Sequence, residues 1–225
     1  MGVIMYDRIE KLIGKDNLDK INQKHILIVG LGGVGGTAFE ALIRSGFLNF
    51  TIVDNDKFEI SNLNRQILCL RNDLGKNKVD VAKIRAVNIN DNIKVNCIND
   101  DINNINLENI NKIDYIIDAC DDIKGKKKLI KFANDNQINI ISALGMGKRI
   151  DPTKVIITRL DKTHNCPLAK KLRYELRSQN ISIKIPVVFS EEIPKNNNNI
   201  VSSCIFVPSV AGLYLASYVF NDIIQ

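Results

Sequence analysis

Between Asp54 and Lys78 the chain gathers side chains that could hold a polyphosphate. The stretch DNDKFEISNLNRQ carries Asp54, Asp56, Asn62, Arg65 and Gln66, and Lys78 follows thirteen residues beyond Arg65. Two cations and a neutral amide form the clamp that a scissile α-phosphate needs, because negative charge spreads onto the leaving oxygens. Singly, each of these residues is more often a solvated surface group. Their grouping favours the clamp.

A second set lies upstream, in HILIVGLGGVGG (25–36). Gly30-x-Gly32-x-x-Gly35, with Gly33 between, follows an aliphatic strand and opens a helical pattern. In that context Gly30 permits a tight turn, Gly32 lets a ligand approach the backbone, and Gly35 lets helix and strand pack closely. The free N–H groups and the helix dipole favour an anion. Asp54 ends the next strand, where a carboxylate can accept hydrogen bonds from ribose hydroxyls. The glycines and Asp54 alone fit a nicotinamide dehydrogenase, a flavoprotein or a user of ATP. Arg65 and Lys78 favour ATP, because a hydride-transfer enzyme gives them no task. Further on, IIDACDD ends a strand with Asp118, Asp121 and Asp122. At the carboxyl edge of an open α/β sheet such a carboxylate can hold Mg²⁺ against phosphates. Asp122 is read as the cap of the following helix.

The elements that must position these groups alternate. A polar helix is expected over 6–22, strands over 25–30, 49–56, 93–98, 113–118 and 138–143, and helices over 34–45, 76–88 and 126–136. A strand at 154–160, a basic helix at 167–178, a strand at 184–190 and a surface loop at Asn196–Asn199 follow. This pattern predicts a Rossmann-like, doubly wound α/β fold with a mainly parallel sheet, an N-terminal helix and a C-terminal strand–helix extension. The reading is one domain over 1–225: an arm (1–24), a nucleotide-binding core (25–150) and a C-terminal part (151–225).

Composition adds bounds. The 225 residues are 45% hydrophobic and 25% charged, ordinary for a globular chain. The five cysteines include no CxxC pair, which argues against a disulfide framework and against a structural zinc. No signal layout opens the chain, so a cytoplasmic protein is expected. Residues 205–224 approach membrane-spanning length but contain Pro208, Ser209, Gly212, Ser217, Asn221 and Asp222. A buried helix starting near Pro208 is preferred, with a dimer-interface or membrane-contact helix as the alternative.

GxGGxG, D-x-D, S-N-x-x-R-Q, G-x-x-K and D-x-x-D together resemble the ubiquitin-activating-like adenylating enzymes. That family, which includes the sulfur-carrier adenylyltransferases of thiamine and molybdopterin synthesis, activates a carboxylate with ATP. The resemblance implies Asp54 as ribose ligand, Asn62, Arg65 and Lys78 as phosphate contacts, and Asp121 as Mg²⁺ ligand. It also implies that Arg8 reaches a neighbouring subunit's ATP, hence a homodimer. YDRIEKLIG, the long run from ALGMGKRIDPTK to KKLRYELR, VVFSEE and FVPSVAGLYLAS resemble, more narrowly, the tRNA threonylcarbamoyladenosine dehydratases. The implied substrate is tRNA bearing N6-threonylcarbamoyladenosine, whose threonine carboxylate would be adenylated and then cyclised with loss of water. Activation of a ubiquitin-like or sulfur-carrier protein is the alternative within the fold. A nicotinamide oxidoreductase and a non-enzymic ATP-binding tRNA chaperone are the alternatives outside it.

The net charge of +6 then has a use. Lys124, Lys126, Lys127 and Lys128 form one cluster, Lys148 and Arg149 a second, and Lys170, Lys171, Arg173 and Arg177 a third. Lys170, Arg173 and Arg177 share a helical face, as a phosphate-tracking surface requires. Of these, Lys148, Arg149, Lys170, Arg173 and Arg177 are the expected tRNA contacts. Cys120 and Cys204 are read as bystanders, with Cys204 the better candidate if a sulfur-relay partner supplies input. His25 and His164 are assigned no catalysis.

Overall fold

The fold is described from a computed structural model that covers residues 5–195 and 202–225; the expected Asn196–Asn199 loop lies outside them. Seven strands form one sheet: β1 (His25–Val29), β2 (Asn49–Val53), β3 (Lys94–Ile98), β4 (Tyr115–Asp118), β5 (Asn139–Ala143), β6 (Val155–Arg159) and β7 (Pro186–Ser190). Their spatial order is β3-β2-β1-β4-β5-β7-β6. Every neighbouring pair is parallel except β6 with β7. The aliphatic runs HILIV, NFTIV and YIID are buried nearly throughout, which is why they read as continuous rather than alternating.

Helices cover both faces. On one, α3 (Gly33–Arg44), α4 (Lys78–Ile89) and α7 (Phe206–Ile224) enclose a core that includes Phe39, Phe50, Val79 and Leu215. On the other, α5 (Ile123–Asp135) and α6 (Pro167–Arg177) bury Leu129 and Leu172 with Leu27 and Phe189. The single N-terminal helix expected over 6–22 is in fact two, α1 (Asp7–Ile13) and α2 (Lys15–Gln23). Gly14 divides them at φ 83°, a left-handed conformation that a helix interior cannot absorb.

The C-terminal helix starts two residues ahead of Pro208, which therefore sits in its first turn, where a missing N–H costs nothing. By length and apolarity α7 could cross a membrane, yet Val207, Ala211, Leu215, Val219 and Ile223 are buried in the core. It lies so close to α3 that a Cβ on Gly212 would sit 2.4 Å from the Val34 carbonyl oxygen. The strand order reverses between β1 and β4, which opens a crevice at their carboxyl ends.

Candidate active site

The crevice is a cleft of about 700 Å³. Its floor is the turn after β1. Gly30 adopts φ +90°, and a Cβ there would stand 2.7 Å from the Ala119 carbonyl oxygen. A Cβ on Gly35 would fall 1.8 Å from the Gly30 carbonyl oxygen, so the first turn of α3 presses directly on the loop. Among the described residues no side chain caps α3, and Gly32, Gly33 and Val34 line the cleft where its orphan N–H groups emerge.

Asp54, buried at the end of β2, accepts from Leu31 N–H at 2.6 Å and Asp56 N–H at 2.9 Å. Burial pushes its carboxyl above the usual carboxylate range, against the pull of Lys78 and these two donors. Lys78 opens α4 and is itself buried, with Nζ 2.7 Å from Asp56 and 3.7 Å from Asp54. The segment between carries the other residues expected in a clamp. A 3-10 turn, Ile60–Asn62, is closed by Asn62 Oδ1 accepting from Glu59 N–H at 3.1 Å. Arg65 Nη1 donates to Ser61 O at 2.7 Å and Asn64 Oδ1 at 3.1 Å. Gln66 is 6% exposed, lies against Gly32, and keeps an Oε1 with no hydrogen-bond partner among the described residues. Asp54, Asp56, Asn62, Arg65, Gln66 and Lys78 all line the one cleft.

Asp121 joins them from beyond β4 and is exposed to the cleft. Asp122 instead caps α5, accepting from Gly125 N–H at 2.8 Å. The hydrogen bond from Asn103 is the main reason its carboxyl lies below the ordinary range. Among the described residues, no group of three or more His, Cys, Asp or Glu side chains is placed to hold a metal. Mg²⁺ needs less, since one carboxylate with substrate phosphates and waters satisfies it, and Asp121 fits that role.

Two buried charged arrangements beside the cleft were not legible in the sequence. Asp118 and Lys126 are both fully buried, with Lys126 Nζ 3.0 Å from Asp118 Oδ2 and 2.6 Å from Ala143 O. Ser142, paired with Asp118 across β4 and β5, completes the network through its hydroxyl. Lys126 therefore leaves the basic cluster in which the sequence reading placed it. The available signal was helical spacing: Leu129, Ile130 and Ala133 follow at i+3, i+4 and i+7, so Lys126 belongs to the apolar stripe. Lys128 is likewise turned inward onto the carbonyls of Ile102, Asn103 and Ile105.

The second is that of Arg149, expected on a tRNA surface and found 3% exposed. Its guanidinium donates to the carbonyls of Gly145 (2.6 Å), Glu192 (2.9 Å), Gly147 (3.2 Å) and Asn165 (3.3 Å). Arg173 is similarly committed, to the Thr163 carbonyl at 3.0 Å and to the Thr163 hydroxyl. Lys170 and Arg177 stay exposed on α6, and Lys148 is partly buried. Ser202–Cys204 bridges the two sides of the cleft: Lys148 N–H donates to Ser202 O at 2.7 Å, and Asn64 Nδ2 to Ser203 O at 2.9 Å. Cys120 donates to Asp118, and burial followed by that carboxylate pushes its thiol well up, away from a thiolate. Arg8 stands exposed on α1 and does not line its own chain's cleft.

Comparison with known proteins bears on the whole of this arrangement. The ThiF family model matches residues 6–217. The chain belongs to the ThiF family. Among ThiF-family relatives, the tRNA threonylcarbamoyladenosine dehydratase of Bacillus subtilis is 34% identical over 98% of this chain and 94% of its own length. The corresponding protein of Haemophilus influenzae is 39% identical over 85% and 81%. The crystal structure of E. coli tRNA N6-threonylcarbamoyladenosine dehydratase in complex with ATP superimposes with a TM-score of 0.89 at 31% identity. That match covers 98% of this chain and 97% of the other.

Proposed function

We propose that this protein is an ATP-dependent dehydratase of tRNA. Its substrate is the threonine carboxylate of N6-threonylcarbamoyladenosine, and its products are the cyclised nucleoside, AMP and pyrophosphate. The observation that carries the reading is likeness over nearly the whole chain to dehydratases, one of them solved with ATP, joined to a cleft lined by Asp54, Asn62, Arg65, Gln66, Lys78 and Asp121.

In the first step a carboxylate oxygen bonds to the α-phosphorus and pyrophosphate leaves. In the second, a nucleophilic atom of the same modification bonds to the acyl carbon, loses its proton, and expels AMP. The AMP departs with the former carboxylate oxygen, so the nucleoside loses the elements of one water. Because nucleophile and electrophile share one side chain, proximity supplies much of the second step.

Gly30–Gly35 and the first turn of α3 receive the phosphates, and Asp54 receives the ribose. Arg65 and Lys78 offset charge on the departing pyrophosphate, with Asn62 and Gln66 as neutral contacts. Mg²⁺, held by Asp121, would neutralise phosphate charge. Arg8 acts in the neighbouring subunit of a homodimer. Residues 151–225 serve tRNA binding and dimerisation, with Lys170 and Arg177 the exposed cations of α6. The protein works in the cytoplasm, and a sulfur-relay protein is a candidate partner.

The test is to incubate the protein with ATP, Mg²⁺ and threonylcarbamoylated tRNA and to weigh the modified nucleoside. A loss of one water is expected. An unchanged nucleoside, with pyrophosphate exchange driven instead by a carrier protein's C-terminus, would overturn the proposal.

A further inference from the structure

One stretch of the cleft lining carries none of the expected clamp side chains: the loop after β5, where Gly145, Met146 and Gly147 line the cleft. Behind this loop lies Arg149, a buried guanidinium that among the described residues reaches only carbonyl oxygens. Among the described residues no carboxylate forms an ion pair with it. A buried cation without a counter-ion is expensive to maintain unless its charge is used.

The peptide between Gly145 and Met146 shows what that charge can do. Arg149 Nη1 donates to Gly145 O at 2.6 Å, the shortest of its four bonds. Among the described residues no peptide is cis, and a trans peptide sets its N–H opposite its C=O. The Met146 N–H is therefore turned away from the guanidinium. It finds no acceptor within the described residues, while the Met146 side chain packs into the core. A peptide N–H that lines a cleft without a protein acceptor is open to an oxygen of whatever the cleft binds. Cation, peptide dipole and free N–H then point one way.

We infer that Arg149 is a positioning residue that orients and polarises the Gly145–Met146 peptide, so that the Met146 N–H donates to an oxygen of the reacting carboxyl group. During adenylation that oxygen becomes the acyl carbonyl. During ring closure it carries the negative charge of the tetrahedral species, where a fixed N–H is worth most. Glu192 supports the same loop: its carboxylate accepts from Ile150 N–H at 3.0 Å and Asp151 N–H at 2.9 Å, and its carbonyl accepts from Arg149.

The inference rests on the dehydratase reading, and its test separates the two. Arg149→Met and Arg149→Lys are compared with the unaltered protein for ATP affinity, for the KM of threonylcarbamoylated tRNA, and for the rate of water loss. The expected result for Arg149→Met is a fall in kcat of roughly tenfold or more, with ATP affinity within about twofold. Arg149→Lys keeps the charge but not the four-carbonyl reach, and should fall between. Should Arg149→Met not fold, Arg149→Lys alone carries the comparison. A folded variant with unchanged kcat, or one that loses ATP affinity in proportion to kcat, overturns the inference. If the unaltered protein removes no water from the tRNA, the dehydratase reading fails instead.

Discussion

Arg65 and Lys78 are held differently, and that sets what their removal does. Arg65 is tied to the Ser61 carbonyl and the Asn64 amide, so Arg65→Ala deletes the proposed phosphate contact and little else. Pyrophosphate exchange should fall on the order of 10²–10³-fold with no change in melting temperature. Lys78 is buried between Asp54 and Asp56. Lys78→Ala should lose as much activity and also about 1–3 kcal/mol of stability, because Asp54 keeps its burial and loses its cation. Urea denaturation distinguishes the two; equal stability in both variants would contradict the arrangement. The convergence of Arg65 and Lys78 on one cleft was legible from type and spacing; their role as a phosphate clamp belongs to the proposed function. The place of Arg149 was not legible, since a basic residue beside a lysine reads as surface until its four carbonyl acceptors are seen. Nothing in the local sequence names those acceptors, which come from three separate loops.

Between elements, two of the charged contacts give direct tests. Glu40 on α3 accepts from Arg44 of the same helix and, at 2.5 Å, from Arg85 on α4. Burial alone would raise its carboxyl, but the two arginines outweigh burial and leave it below the ordinary range. The unfolded chain then binds more protons through the acid range, so this stability is present above the ordinary glutamate pKa and lost as pH falls through the lowered one. Glu40→Gln should flatten the acid limb of a melting-temperature profile between about pH 5 and 3. A limb as steep as that of the unaltered protein would count against it. Lys126 and Asp118 join α5 to β4 and β5 beneath the Asp121 loop. Breaking the pair singly, as Lys126→Met, should cost about 3–5 kcal/mol, whereas Asp118→Leu with Lys126→Met should recover most of that loss. The double variant should nevertheless require more Mg²⁺, because the loop bearing Asp121 loses its anchor. Denaturation and Mg²⁺ titration of the pair test both halves. Most elements were legible from aliphatic runs and Gly–Asp punctuation. The N-terminal helix pair was not, because Gly14 reads as a tolerated interruption until its positive φ is known.

At the scale of the whole molecule, the parallel order followed from βα alternation, whereas the antiparallel β6–β7 pair had no local signature. Arg8, exposed and absent from its own cleft, belongs to a homodimer in the proposed account. Mixed dimers of Arg8→Ala with Lys78→Ala chains should regain about a quarter to a half of the activity per dimer, since one cleft then has both residues intact. No recovery would place Arg8 within its own subunit or outside the reaction. The central claim is that the threonine carboxylate itself is adenylated. With ¹⁸O in that carboxylate, one labelled oxygen should appear in AMP for each nucleoside cyclised. Unlabelled AMP, with both labelled oxygens retained in the nucleoside or released to water, would contradict it.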